Sequence, residues 1–249
     1  GVILPDGSAV IVGTFEAWAD FGSGDEETIL TAAGASPFVA HYDADGSLRW
    51  ADAPEMNDDR TPAPSPESLA PTWSVPTATD EDVRLVDGVE FGGALVMDSG
   101  VATLTSGKYV FSSLQLESTA RLICSGGPDD VIEIYITDAD TSFVLDSNAS
   151  VDLEALEETG GPTVIVRNAG RLLVNSNSQI NIDASNNPGD PTRFVYSSTY
   201  ASAAVDDHGV TIDSNSRVSG VIYMPAASIY VASNGDLYGA MVALNVFAE

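Results

Sequence analysis

The stretch TIDSNSRVSGVIYMP, Thr211 to Pro225, sets two apolar runs of β character on either side of a knot of small polar residues. The same spelling returns in VLDSNASVDL at Ser147-Asn148, in LVNSNSQINI at Ser176-Asn177 and in YVASNGDLYG at Ser233-Asn234, with a worn version, QLESTARLIC, at Ser118-Thr119. From Ser118 the pairs recur at intervals of 29, 29, 38 and 19 residues. A β-sandwich shows turn signals every ten residues or so without one preferred spelling. A solenoid with coils of about 20 to 30 residues repeats one corner chemistry at one angular position. The repeat therefore predicts an all-β fold, a right-handed parallel β-helix over residues 83–249 with Val, Ile and Leu turned inward.

In that reading Ser147, Asn148, Ser176, Asn177, Ser214, Asn215, Ser233 and Asn234 are structural corner residues. Asparagine tolerates the left-handed conformation a sharp corner needs, and its amide can ladder with the asparagine of the next coil. Serine beside it is small enough to turn.

The 249 residues carry 37 carboxylates against one lysine, Lys108, and eight arginines, a net charge of −28. Nucleic acid and an anionic membrane surface are excluded as partners, because both need clustered cations. Carboxylates at this density repel one another unless cations screen them, which suits a protein working in salty water. The single cysteine, Cys124, lies in the β-rich RLICSG and has no histidine near it in sequence. It is expected to be a small buried apolar residue and not a nucleophile. No run of about twenty apolar residues exists, so no transmembrane segment is expected. The chain opens at Gly1 with no basic segment followed by an apolar one, as in a processed product or the ordered part of something longer.

Residues 1–52 are read as a small antiparallel β-meander in one sheet, with a hairpin turn at Asp45-Gly46. The stretch PDGSAVIVGTF, then ADFGSGDEETILTAAGASPFVAHYDADGSLRWA, resembles one unit of the bacterial SBBP-type β-propeller repeats, with Pro37 and His41 in place of the usual Asp and Lys. A propeller needs several blades to close, so the resemblance implies a lone blade that something else must cover. Val10, Val12, Phe15, Phe38 and Val39 are its candidate assembly residues. The proline-rich residues 53–82 are read as an extended linker.

In the solenoid, SGVATLTSGKYVFSSLQLESTARLIC, the later Ser-Asn strands and the closing RVSGVIYMPAASIYVASNGDLYGAMVALNV resemble a β-solenoid domain of bacterial surface and pilus-associated proteins. The most specific part is GVIYMP, Gly220 to Pro225, with Gly235 and Gly239-Ala240. More distantly the group resembles the polymer-forming β-helical proteins. The resemblance implies no catalytic residues.

Direct chemical signals are sparse. His41 and His208 fall in different predicted domains without ligand-spaced partners, so no metal site is expected. DADGS at Asp43 to Ser47 imitates the start of a calcium loop but fits a hairpin turn better, leaving surface calcium as a weak suggestion and no cofactor expected. A carbohydrate-cleaving β-helix would group carboxylates and a basic residue on one sheet, for which Asp183 and Asp213 with Arg193 or Arg217 are the candidates. The residues favour a structural, non-enzymatic protein at the cell surface or outside the cell. It would be a subunit or segment of a surface filament, pilus-like fibre or adhesin, assembling with copies of itself. The alternative is a β-helix that binds or cleaves a surface glycan.

The charge makes a first prediction. The melting temperature should rise with ionic strength between dilute buffer and molar sodium chloride, as screening relieves carboxylate repulsion. A flat profile in differential scanning calorimetry would reduce the acidity to a matter of solubility.

Overall fold

The computed structural model describes residues 71–249 except 157–159, 184, 203, 205 and 249, and in residues 1–70 the backbone of six strands. Two units, Gly1–Ala63 and Pro64–Glu249, separate along the chain. In the first, β-branched and aromatic runs give β1 (Val2–Ile3), β2 (Ala9–Phe15), β3 (Trp18–Asp20), β4 (Ile29–Thr31), β5 (Ser36–Tyr42) and β6 (Leu48–Asp52). The antiparallel sheet runs in the order β1-β2-β5-β6, with Ala9 opposite Tyr42 and Phe15 opposite Ser36, while β3 and β4 form a separate pair. The one-sheet meander expected from the sequence thus has its middle hairpin detached. Two three-residue strands flanking the Gly- and acid-rich residues 21–28 satisfy each other locally.

In the second unit the strands cycle over three faces. Face A stacks β7 (Leu95–Met97), β10 (Leu114–Leu116), β13 (Thr141–Leu145), β16 (Arg171–Val174), β19 (His208–Ile212) and the end of β20 (Arg217–Val231). Face B stacks β8 (Val101–Leu104), β11 (Arg121–Gly126), β14 (Ser150–Ala155), β17 (Gln179–Ile180) and the start of β20. Face C stacks β9 (Gly107–Phe111), β12 (Val131–Ile136), β15 (Thr163–Asn168), β18 (Phe194–Ser198) and the middle of β20. The last strand, β21 (Asp236–Ala248), follows β20 in parallel across all three faces. Every pairing in this unit's named strands is parallel, and the unit is a β-solenoid.

Register, with its period of two, sends alternate residues inward and stacks like on like. On face A the inward column runs Leu95, Leu114, Phe143, Leu172, Val210 and Ile229. On face B it runs Leu122, Val151, Ile180 and Val218, and on face C Ile134, Val166, Tyr196 and Ile222. All but Leu95 are at most 1% exposed, so each coil closes the core of the one before it. Cys124 belongs to this core at 0% exposure, and burial pushes its thiol up to about 12.

Among the buried polar side chains, the Asn168 amide is fully bonded. Asn168, at 0% exposure, accepts from Ser142 Oγ (2.6 Å) and the Gly170 amide (3.0 Å), and donates to Tyr196 Oη (3.0 Å) and the Arg171 carbonyl (3.1 Å). A buried amide with every group paired specifies one register instead of costing stability.

The start of the solenoid is covered on face C. The backbone of residues 82–93 runs along the free side of β9: the Lys108 amide donates to the Asp82 carbonyl, the Arg84 amide to the Lys108 carbonyl and the Gly92 amide to the Val110 carbonyl. Val86 and Val89 lie over the core beneath it. Residues from 82 onward thus belong to a cap.

Gly220 tests the packing. A Cβ there would stand 2.7 Å from Phe194 Cδ1 and 2.8 Å from the Phe194 carbonyl oxygen, beside a fully buried ring. Gly220→Ala should therefore cost about 1–3 kcal/mol. The readout is labelling of Cys124 by a thiol reagent, which should proceed only through unfolding and accelerate in the variant; equal labelling rates would contradict this packing.

Candidate functional site

Each passage from face A to face B includes left-handed backbone, at one residue in most coils and at two, Ser147 (φ 43°) and Asn148, in one. Ser118 has φ 52°, Asn148 71°, Asn177 63°, Asn215 61° and Asn234 63°, and the first coil uses Gly100 at 91°. Ser147, Ser176, Ser214 and Ser233 stand directly before the four asparagines. The coils are tied across this corner by main chain: the Asn148 amide donates to the Ser176 carbonyl (3.2 Å), Asn177 to Ser214 (3.4 Å) and Asn215 to Asn234 (3.1 Å). The side-chain amide ladder expected from the sequence is not what forms these rungs, because all four asparagine side chains stand exposed to solvent.

A third corner position was not legible from the pair alone. After the left-handed residue the chain dives inward through Ala120, Ala149, Ser178, Ser216 and Gly235, whose neighbours Ser150, Gln179, Arg217 and Asp236 donate to the carbonyls of the preceding coil's Ala120, Ala149, Ser178 and Ser216. A Cβ at Gly235 would lie 3.0 Å from the carbonyls of Ala232 and Ile212. The signal was present in the triplets STA, SNA, SNS, SNS and SNG, whose last member is always small.

The scarce cations bridge coils. Arg121 pairs with Asp152 (2.6 Å) and Glu154 (3.4 Å), Arg167 with Glu133 (3.0 Å), Arg171 with Asp140 (2.7 Å) and Asp207 (3.1 Å), and Arg217 with Asp236 (3.2 Å). Arg193 donates to the Pro128 carbonyl (2.6 Å) and so ties its coil to an earlier one.

The structure places the carboxylates considered for glycan cleavage in turns. Asp183 caps its own loop, accepting from the Ser185 and Asn187 amides at 2.8 Å, and these bonds, Asn187's foremost, hold its carboxyl below the ordinary value. A general acid needs the opposite shift. Asp213 sits in the corner and accepts from the Ser214 amide (2.7 Å). Arg193 and Arg217 are engaged as described.

His208 stacks on Tyr230 with ring centroids 5.1 Å apart and lies 5.5 Å from Phe247; its Nδ1 is buried without a hydrogen-bond partner. Among the described residues no three His, Cys, Asp or Glu side chains converge as a metal site, and no helix is long and apolar enough to cross a membrane. The side chain of His41 and residues Asp43 to Ser47 lie outside the described residues. So do the side chains of Val10, Val12, Phe15, Phe38 and Val39, although the backbone register sets Val12 opposite Val39 and Phe38 opposite Gly13.

The far end of the solenoid differs from its start. β21 pairs with β20 and, among the described residues, with no strand on its other side. Its Met241 and Val246, in register with the fully buried Ile222 and Ile229, are 39% and 49% exposed. From Leu237 to Ala248 the strand carries no charge.

A family model described as a domain of unknown function, DUF7305, matches residues 74–249. The chain belongs to this family. No curated protein and no solved structure matches. The DUF7305 span takes in the cap, every coil and the open end, so cap, corner and end are features of one domain.

The corner of the DUF7305 domain makes its own prediction. Asn177→Ala should lose about 1 kcal/mol to left-handed strain, whereas Asn177→Gly should be close to neutral. Urea melts of the two variants that rank in the opposite order would refute the conformational role of the corner.

Proposed function

We propose that this protein is a structural subunit of a cell-surface or extracellular assembly, joined to a second copy through β21. The observation that carries the reading is the last strand: residues 82–93 cover the β9 edge at the start, whereas β21 is a thirteen-residue edge uncovered along its length among the described residues, with Met241, Leu244 and Val246 in water. Isolated proteins blunt such edges with lysine, proline or a covering loop. The occupant best suited to it is another copy. Two β21 strands related by a two-fold axis offer each other the same donors, acceptors and apolar row. Their uncharged span also lets two chains of net charge −28 meet without bringing carboxylates together.

A fibre needs a second joint. The N-terminal sheet, with its own outer strands β1 and β6, is the element proposed to supply it, by strand addition to a neighbour. Sedimentation velocity and electron microscopy at high salt test both. The full chain should form dimers and longer assemblies, Val246→Lys should remove the solenoid joint and shift the distribution toward smaller species, and deletion of residues 1–63 should stop at dimers. A full-length protein that stays monomeric at every concentration, or a lysine variant that assembles like the parent, would sink the proposal.

A further inference from the structure

Face B carries a hollow that the assembly reading does not use. One cavity of about 560 Å³ is lined by Asn177, Gln179, Asn215, Arg217, Asn234 and Asp236 among others. A second, of about 690 Å³, reaches from Thr119 and Arg121 past Asn148 and Asp152 to Asn177 and Gln179. The two share Asn177 and Gln179, so they form one trough running along the solenoid axis from the second coil to the last.

The trough has a used side and an unused side. Its charged groups are paired, Arg121 with Asp152 and Glu154, Arg217 with Asp236, and the Gln179 amide donates to Asn186 Oδ1 (3.2 Å). Along its rim the exposed amides of Asn148, Asn177, Asn215 and Asn234 make no side-chain hydrogen bond with another described residue. Each offers two donors and two acceptor sites. Their backbone positions repeat with the coil, about 4.8 Å apart.

We infer that this trough binds a linear, neutral polysaccharide lying along the solenoid axis, with the corner amides bonding the hydroxyls of successive sugar rings. A polymer of pyranose rings presents hydroxyl pairs that both donate and accept, at a spacing close to that of the coils, which matches a row of amides where a single charged ligand would not. Charge selects the class. The trough holds two arginines against four carboxylates, Asp152, Glu154, Asp183 and Asp236, on a chain of net charge −28, so polyanions such as uronates are repelled. With no aromatic platform in the lining, each ring is held weakly, and affinity accumulates with the number of coils engaged.

The inference is independent of the β21 joint, and its test uses the full chain. Titration calorimetry against cellohexaose, laminarihexaose and mannohexaose should find binding to at least one, tightening from the trisaccharide to the hexasaccharide, with none to polygalacturonate. The double variant Asn177→Gly, Asn215→Gly removes two amides while leaving the left-handed corners free of strain. It should weaken binding about tenfold or more with the melting temperature nearly unchanged. Three outcomes would overturn the assignment: no binding to any neutral hexasaccharide, binding of the polyuronate alone, or a double variant that binds like the parent.

Discussion

Every passage from face A to face B needs left-handed backbone, and the solenoid depends on it. The passage from face A to face B takes place at Ser118, Asn148, Asn177, Asn215 and Asn234, after Gly100 in the first coil, and each lies at positive φ. A side chain other than glycine or asparagine resists that conformation. Once it is met, a small residue follows within two positions at Ala120, Ala149, Ser178, Ser216 and Gly235, the following strand starts in phase with the one beneath, and the inward columns of face B fall into line. The rungs between Asn148, Asn177, Asn215 and the next coil lock the spacing at the same point. The corner thus sets both the register of the core and the direction in which the four amides face water.

Charge follows from the same stacking. A chain with 37 carboxylates and nine cations cannot neutralise its surface, and it spends the cations of the solenoid between coils. Arg121, Arg167, Arg171 and Arg217 each reach a carboxylate on an adjacent turn of the chain. The pairs are partly exposed and individually modest. The strand from Leu237 to Ala248 carries no charged residue at all.

The corner and the solenoid were legible because they repeat: five Ser-Asn or Ser-Thr pairs between β-type runs define a coil before any coordinate is known. The first corner escaped, since Asp98-Ser99-Gly100 meets the same conformational demand with glycine and breaks the spelling. The small residue after each pair also escaped, because Ala, Ser and Gly share size and not chemistry. The cap at residues 82–93 could not be read, as it carries no repeat and is held by main-chain bonds to β9. Nor could the openness of the far end. The closing stretch GDLYGAMVALNVFA reads as one more strand, and only the pairing of β21 on a single side distinguishes it from a buried one.

The solenoid's function, on this account, is decided at its last coil, where a continuous hydrogen-bonding edge and the exposed end of the core coincide. Hydrogen exchange of the backbone amides of residues 237–248, followed as protein concentration is raised in molar salt, tests that claim most directly. Protection should grow with concentration in this strand while the amides of β11 and β12, already buried in the stack, remain unchanged. Amides of residues 237–248 that exchange at the same rate at every concentration would contradict it.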